Sequence, residues 1–146
     1  MTYTRVVVGT DGSATADRAV ETAADLARQL KAELHVVTAY KSSGGGIGAA
    51  SGAAMAESGA AEGLQSEAAN QIAAKAAATW GEGLTTGSHA VSGSAADAIL
   101  EVAEKIGADL VVVGSKGMQG ARRVLGSVPN SVAHGASCSV LVVKTD

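Results

Sequence analysis

Phenylalanine is absent from this 146-residue chain, and only one tryptophan and two tyrosines stand in for it. A core must therefore be filled by Val, Leu, Ile and Ala, whose small volumes let helices lie close to a sheet. The shortage of rings argues against a flavin site, where aromatic stacking would have only Tyr3, Tyr40 and Trp80 to draw on. A single cysteine, Cys138, excludes an intramolecular disulfide and a structural zinc site built on thiolates. The matching compartment is the reducing cytoplasm. Charge is sparse and nearly balanced, 11 basic against 14 acidic residues for a net charge of -3, so there is no basic footprint for nucleic acid. No apolar run reaches the ~18 residues of a membrane span. The start, "MTYTRVVVGTDGS", lacks the layout of a signal peptide. The expectation is a cytoplasmic protein with neither nucleic acid nor membrane as partner.

Apolar residues make up 47% of the chain, enough for one domain, taken as residues 1–146, with a full core. Short β-branched runs bounded by turn residues predict strands at 5–10, 33–40, 85–91, 109–114 and 139–144. Unbroken apolar stretches such as "VVV" suit central strands buried on both faces, as in a parallel sheet; the run at 85–91 reads as an edge. Between them, Ala16, Ala19, Val20, Ala23, Ala27 and Leu30 recur at helical spacing, with Ser13 as N-cap. Ala96, Ile99, Leu100, Ala103 and Ile106 form a second stripe, capped by Ser94 with Asp97 three residues on and ended by Gly107. A further helix is expected from about Leu64 to Trp80. A short one is expected at about 128–135, with Pro129 in its first turn.

Alternating strands and helices predict an α/β fold, an open parallel five-stranded sheet with helices on both faces and right-handed crossovers. Ligands of such sheets sit beyond the carboxyl ends of the strands, where strand order reverses. The segment 41–63 is almost entirely Gly, Ala and Ser and reads as a flexible loop, either a solvated linker or a lid. As a phosphate loop it lacks the Lys-Ser/Thr ending.

Two strand ends, "VVVGTDGS" and "VVVGSKGMQG", leave the sheet through glycine into polar residues. Asp11 reads either as a cap of the next helix or as a carboxylate for ribose hydroxyls or a metal. Gly114, Gly117, Gly120 and the pair Gly126-Ser127 precede a helix start. Backbone N–H groups and the positive dipole end make that position an anion site; a glycine-rich turn without ligand is the alternative. Lys116, Arg122 and Arg123 read either as solvated or as phosphate contacts. His35, His89 and His134 share no metal-ligand spacing and accompany no Gly-x-Ser-x-Gly elbow, so neither a metal cluster nor a Ser-His-Asp enzyme is expected.

Gly114-Ser-Lys-Gly117, eight residues, then Gly126-Ser127, together with "VVVGTDGS" near the start and "CSVLVVK" near the end, resemble the universal stress protein family. The glycine motif of its nucleotide-binding members runs Gly-x2-Gly-x9-Gly-Ser/Thr, one residue longer. The resemblance implies a Rossmann-like sheet of strand order 3-2-1-4-5 and an adenine nucleotide, ATP, AMP or cyclic AMP, at its carboxyl edge. Position by position, Gly9 and Thr10 line the floor, and Asp11 meets ribose or a phosphate-bound Mg2+. Val36 contacts adenine through its backbone, and Gly114 and Gly117 pass under ribose and phosphates. Gly126, Ser127 and Val128 hold the phosphates, with Lys116 and Arg123 near them. The shorter loop and Pro129 count against ATP relative to AMP or cyclic AMP, with the choice among the three left open, and the lack of a general base or arginine finger dedicated to turnover implies at most slow ATP hydrolysis. The resemblance also implies a homodimer through strand 139–144 and a regulatory, sensor-like role in stress response. A nucleotide-free dimeric scaffold of the same fold is the alternative.

Overall fold

The computed structural model describes residues 2–41, 52–115 and 126–145, with only the backbone described over 52–62. Nine elements alternate along the chain: β1 (Arg5–Gly9), α1 (Ala14–Leu30), β2 (Glu33–Tyr40), α2 (Gly52–Trp80), β3 (Thr86–Ser92), α3 (Ala95–Ile106), β4 (Leu110–Gly114), α4 (Ser127–Gly135) and β5 (Ser139–Val143). The five strands form one sheet in the order β3-β2-β1-β4-β5, with every pairing parallel. The predicted α/β architecture is therefore present, with β3 and β5 at the edges.

The parity of the strands sorts the core into two halves. Val6, Val8, Leu34, Val36 and Val112 face the alanine-rich sides of α1 and α2, including Ala19, Ala23, Ala27, Ala73 and Ala77. Val7, Val37, Val111 and Val113 face α3 and α4, against Ile99, Val102 and Val132. β-Branched side chains on the sheet and alanines on the helices replace the missing aromatics. One expected core member departs from this: Leu30 is 38% exposed, because α1 ends there, as Lys31 turns into the left-handed region and its N–H bonds back to the last turn.

Local signals act where the sequence puts them. The Ser13 side chain accepts from the Ala16 N–H at the start of α1, and Ser94 accepts from the Asp97 N–H at the start of α3. Gly107 closes α3 with φ of 67°, a conformation that costs glycine nothing. One boundary is corrected. The segment expected as loop to residue 63 is helical from Gly52, and α2 runs unbroken to Trp80. The Ala, Met and Glu residues within 52–62 are strong helix formers, and they outweigh the Gly and Ser content on which the loop expectation rests. Residues 42–51 lie outside the described residues.

Candidate functional site

Beyond the carboxyl ends of β1 and β4, where the chain winds toward opposite faces of the sheet, lies a cleft of about 200 Å³. Gly9, Thr10 and Asp11 enter it from the end of β1, and Val113 and Gly114 from the end of β4. Thr15, Ala16 and Ala19 of α1 form one wall, and Ala95 and Ile99 of α3 the other. Val37 and Ala39 of β2, Val128 of α4 and Thr145 complete the lining.

The loop after β1 is built by short hydrogen bonds. The Thr10 N–H donates to the Val37 carbonyl at 2.9 Å, which carries the sheet one residue past the strand. Thr10 Oγ1 accepts from the Gly12 N–H at 3.0 Å, and Asp11 Oδ1 accepts from the Ser13 N–H at 2.9 Å. Gly12 has φ of 83°, which a side chain would strain. Asp11 thus shapes the loop while Ser13 caps α1, and the Asp11 carboxylate stays exposed at the mouth of the cleft.

Two glycines keep the floor open. A Cβ on Gly9 would lie 2.5 Å from Ile99 Cδ1, and one on Gly114 would lie 3.1 Å from Thr145 Cγ2. At α4, Gly126 is the N-cap and supplies no side-chain acceptor to the first turn. Ser127 is exposed at the first helical position, and Pro129 is buried behind it. The cleft therefore combines an apolar end, formed by Val37, Ala39 and Ile99, with a polar end marked by Asp11, Thr15 and Thr145.

Of the residues singled out from the sequence, Gly9, Thr10, Asp11, Gly114 and Val128 line this one cleft. Gly126 and Ser127 form the start of α4 directly before Val128. The Val36 side chain turns into the α1–α2 core, where it is fully buried, and its neighbour Val37 lines the cleft; the contact expected of Val36 is one of its backbone, which side-chain parity leaves open. Lys116, Gly117 and Arg123, with Arg122, lie outside the described residues. Sequence reasoning missed Thr15, Ile99 and Thr145. Ile99 carried a signal, since it lies one turn into a helix expected to start at the sheet's carboxyl edge; Thr145 carried none.

Two of the histidines, His35 and His89, come together in space. Pairing of β2 with β3 sets His35 opposite Gly87 and Val37 opposite His89, which joins the two rings on the α3 side of the sheet. Among the described residues no group of three or more His, Cys, Asp or Glu could hold a metal ion, and no helix is long and apolar enough to cross a membrane. Burial, and then the charge of Asp109, pushes the Cys138 thiol up, away from the thiolate form that reactivity requires.

The sequence profile described as "Universal stress protein family" matches residues 2–144. Universal stress protein Rv1636 of Mycobacterium tuberculosis is 35% identical over 154 residues, covering 98% of this chain and 97% of the relative. Two further curated relatives align only over 46 and 55 residues, so that the matched stretch spans 32% and 38% of their length. A crystal structure of a universal stress protein in complex with cAMP is similar with a TM-score of 0.68 and 33% identity, covering 100% of both chains. The universal stress protein from Archaeoglobus fulgidus in complex with dAMP is similar with a TM-score of 0.59 and 25% identity, covering 99% of this chain and 100% of that one. A parallel sheet of this order, the glycine-floored cleft at its reversal point and full-length similarity lead to one conclusion: the chain belongs to the universal stress protein family.

Proposed function

We propose that the protein binds an adenine mononucleotide, AMP or cyclic AMP in preference to ATP, and acts as a dimeric sensor in the cytoplasm. The observation that carries this reading is the convergence of Gly9, Thr10, Asp11, Gly114 and Val128 on one cleft beside the start of α4. The adenine ring fits the apolar end between Val37, Ala39 and Ile99. The Asp11 carboxylate accepts from ribose hydroxyls. The phosphate meets the first-turn N–H groups of α4 and the Ser127 hydroxyl, where the helix dipole favours an anion. Similarity to proteins solved with cAMP and with dAMP supports the adenine and the single phosphate. Lys116, Gly117 and Arg123 belong to the same reading as phosphate-side residues.

The donors at hand fit Mg2+ only as a companion of the nucleotide. Among the described residues Asp11 is the one carboxylate lining the cleft, and Mg2+ is commonly held by one or two carboxylates together with substrate phosphates. Support for a dimer comes from β5, which pairs with β4 alone and carries Leu141 37% exposed on an apolar edge. A second copy would cover that edge.

The test is calorimetric titration with AMP, cyclic AMP and Mg-ATP, alongside native mass spectrometry. A dimer that binds one mononucleotide per chain, weakened about ten- to a hundred-fold by Asp11→Ala, is the expected result. A folded protein with no affinity for any of the three overturns the reading.

A further inference from the structure

Thr145 follows β5, lines the cleft and is 4% exposed. Its Oγ1 is buried and has no hydrogen-bond partner among the described residues, an arrangement that native proteins seldom leave uncompensated. The residue is not a loose end. The Thr145 N–H donates to Ser115 Oγ at 3.1 Å, and its carbonyl accepts from Arg18 Nη1 at 3.3 Å. One step back, the Ser115 N–H donates to the Val143 carbonyl at 2.8 Å. The backbone is thus fixed from β4, from α1 and through β5, while the hydroxyl alone goes unused.

Gly114 lies against that hydroxyl. A Cβ on Gly114 would come within 3.4 Å of Thr145 Oγ1 and 3.1 Å of its Cγ2. The missing side chain keeps the Gly114 backbone close against Thr145, and both residues line the cleft. Thr145 stands on the β4–β5 side, away from the apolar end formed by β2 and α3.

We propose that Thr145 is a ligand-contact residue whose hydroxyl hydrogen-bonds an oxygen of the sugar–phosphate part of the bound nucleotide. The proposal rests on the nucleotide reading above and adds a residue that lies outside the glycine motif. A threonine hydroxyl both donates and accepts, and a change of χ1 rotamer exchanges the places of Oγ1 and Cγ2 without moving the backbone. Arg18 and Ser115 act as positioning residues that hold the backbone of Thr145 in place.

The experiment compares wild type, Thr145→Val and Thr145→Ser by thermal melting without ligand and by calorimetric titration with AMP and with adenosine. Valine keeps the shape and removes the unpaired hydroxyl, so T145V should melt no lower than wild type. It should bind AMP about ten-fold more weakly, while T145S keeps close to wild-type affinity. Weakening shared by adenosine assigns the contact to a ribose oxygen, and weakening confined to AMP assigns it to phosphate; both support the hydroxyl contact. Unchanged AMP affinity in T145V overturns the proposal. So does equal loss in T145S, which would make the methyl group responsible, and so does a T145V protein that melts well below wild type, which would make the hydroxyl structural. A wild type that binds neither ligand fails the nucleotide reading itself and is told apart by that.

Discussion

His35 Nδ1 and His89 Nε2 meet at 3.0 Å across β2 and β3, with ring centroids 5.3 Å apart. That contact holds one hydrogen, with one ring nitrogen donating and the other accepting. On its other side His35 Nε2 meets Glu33 Oε2 at 3.1 Å, and Arg5 reaches the same oxygen at 3.4 Å. The hydrogen bond with His35 chiefly holds the Glu33 carboxyl below its ordinary range; burial opposes this, and the charges of Arg5 and His35 reinforce it. Burial first, then the charges of His35 and of Lys105 on α3, hold His89 below its ordinary value of 6.5. The unfolded chain therefore binds the His89 proton more readily than the folded one. Stability from this site is present above pH 6.5 and is lost as pH falls through that value toward the depressed folded value. Melting temperatures at about pH 7.5 and about pH 5.5 should differ more in wild type than in His89→Gln. Gly87→Ala, whose Cβ would lie 2.5 Å from His35 Nδ1, should break the pair yet flatten the profile only in part, because burial, the larger cause of the His89 depression, remains.

Gly9 and Ile99 are coupled by space. The Cβ of Gly9→Ala would fall 2.5 Å from Ile99 Cδ1, so the isoleucine must move within a wall of the cleft. Gly9→Ala should lower stability by about 1–3 kcal/mol and narrow the cleft. In the background of Ile99→Val the same change should cost less. A double-mutant cycle by denaturant unfolding measures the difference; strict additivity would contradict the contact.

Asp109 ties the beginnings of β1 and β4 together. Its carboxylate accepts from the Thr4 N–H at 2.7 Å, the Thr4 hydroxyl at 2.9 Å and the Arg5 N–H at 3.0 Å. Burial alone would raise its pKa, but these donors outweigh it and hold the carboxyl below the ordinary 3.8. The folded state thus keeps the charge to lower pH than the unfolded state does. Its stability is present above 3.8 and is lost as pH falls through the depressed folded value. Asp109→Asn should move the acid-unfolding midpoint to higher pH, read by circular dichroism.

The two serine caps offer a calibrated pair. Ser13 Oγ accepts from Ala16 at 3.2 Å, and Ser94 Oγ accepts from Asp97 at 3.1 Å. Each replacement by alanine should cost about 1 kcal/mol. Both caps flank the cleft, since Thr15 and Ala95 follow them into its lining. Chemical denaturation of the two single variants and the double variant should give costs that add.

Strands, caps and the closing Gly107 were legible in the sequence because each rests on a short-range rule: β-branched runs, serine before a helix, glycine after one. The boundary at Gly52 was not, because alanine and glycine serve helix and loop alike when no large side chain marks a buried face. That the Val37 side chain faces the cleft was not legible, because "LHVV" belongs to a strand covered on both sides, where apolar character does not reveal which side chain points where. The join of His35 to His89 depends on the β2–β3 register, a long-range quantity with no local sign. Thr145 is brought to the cleft by long-range contacts, among them those with Ser115 and Arg18, 30 and 127 residues away.

The cleft opens where α1 leaves for one face of the sheet and α3 and α4 for the other. Its existence follows from the winding of the chain, not from the chemistry of any one side chain. Substitutions at Asp11, Thr15, Ile99 or Thr145 can retune or abolish what enters without closing the opening. A lineage built on this scaffold can change every one of those side chains and still inherit the same opening in the same place.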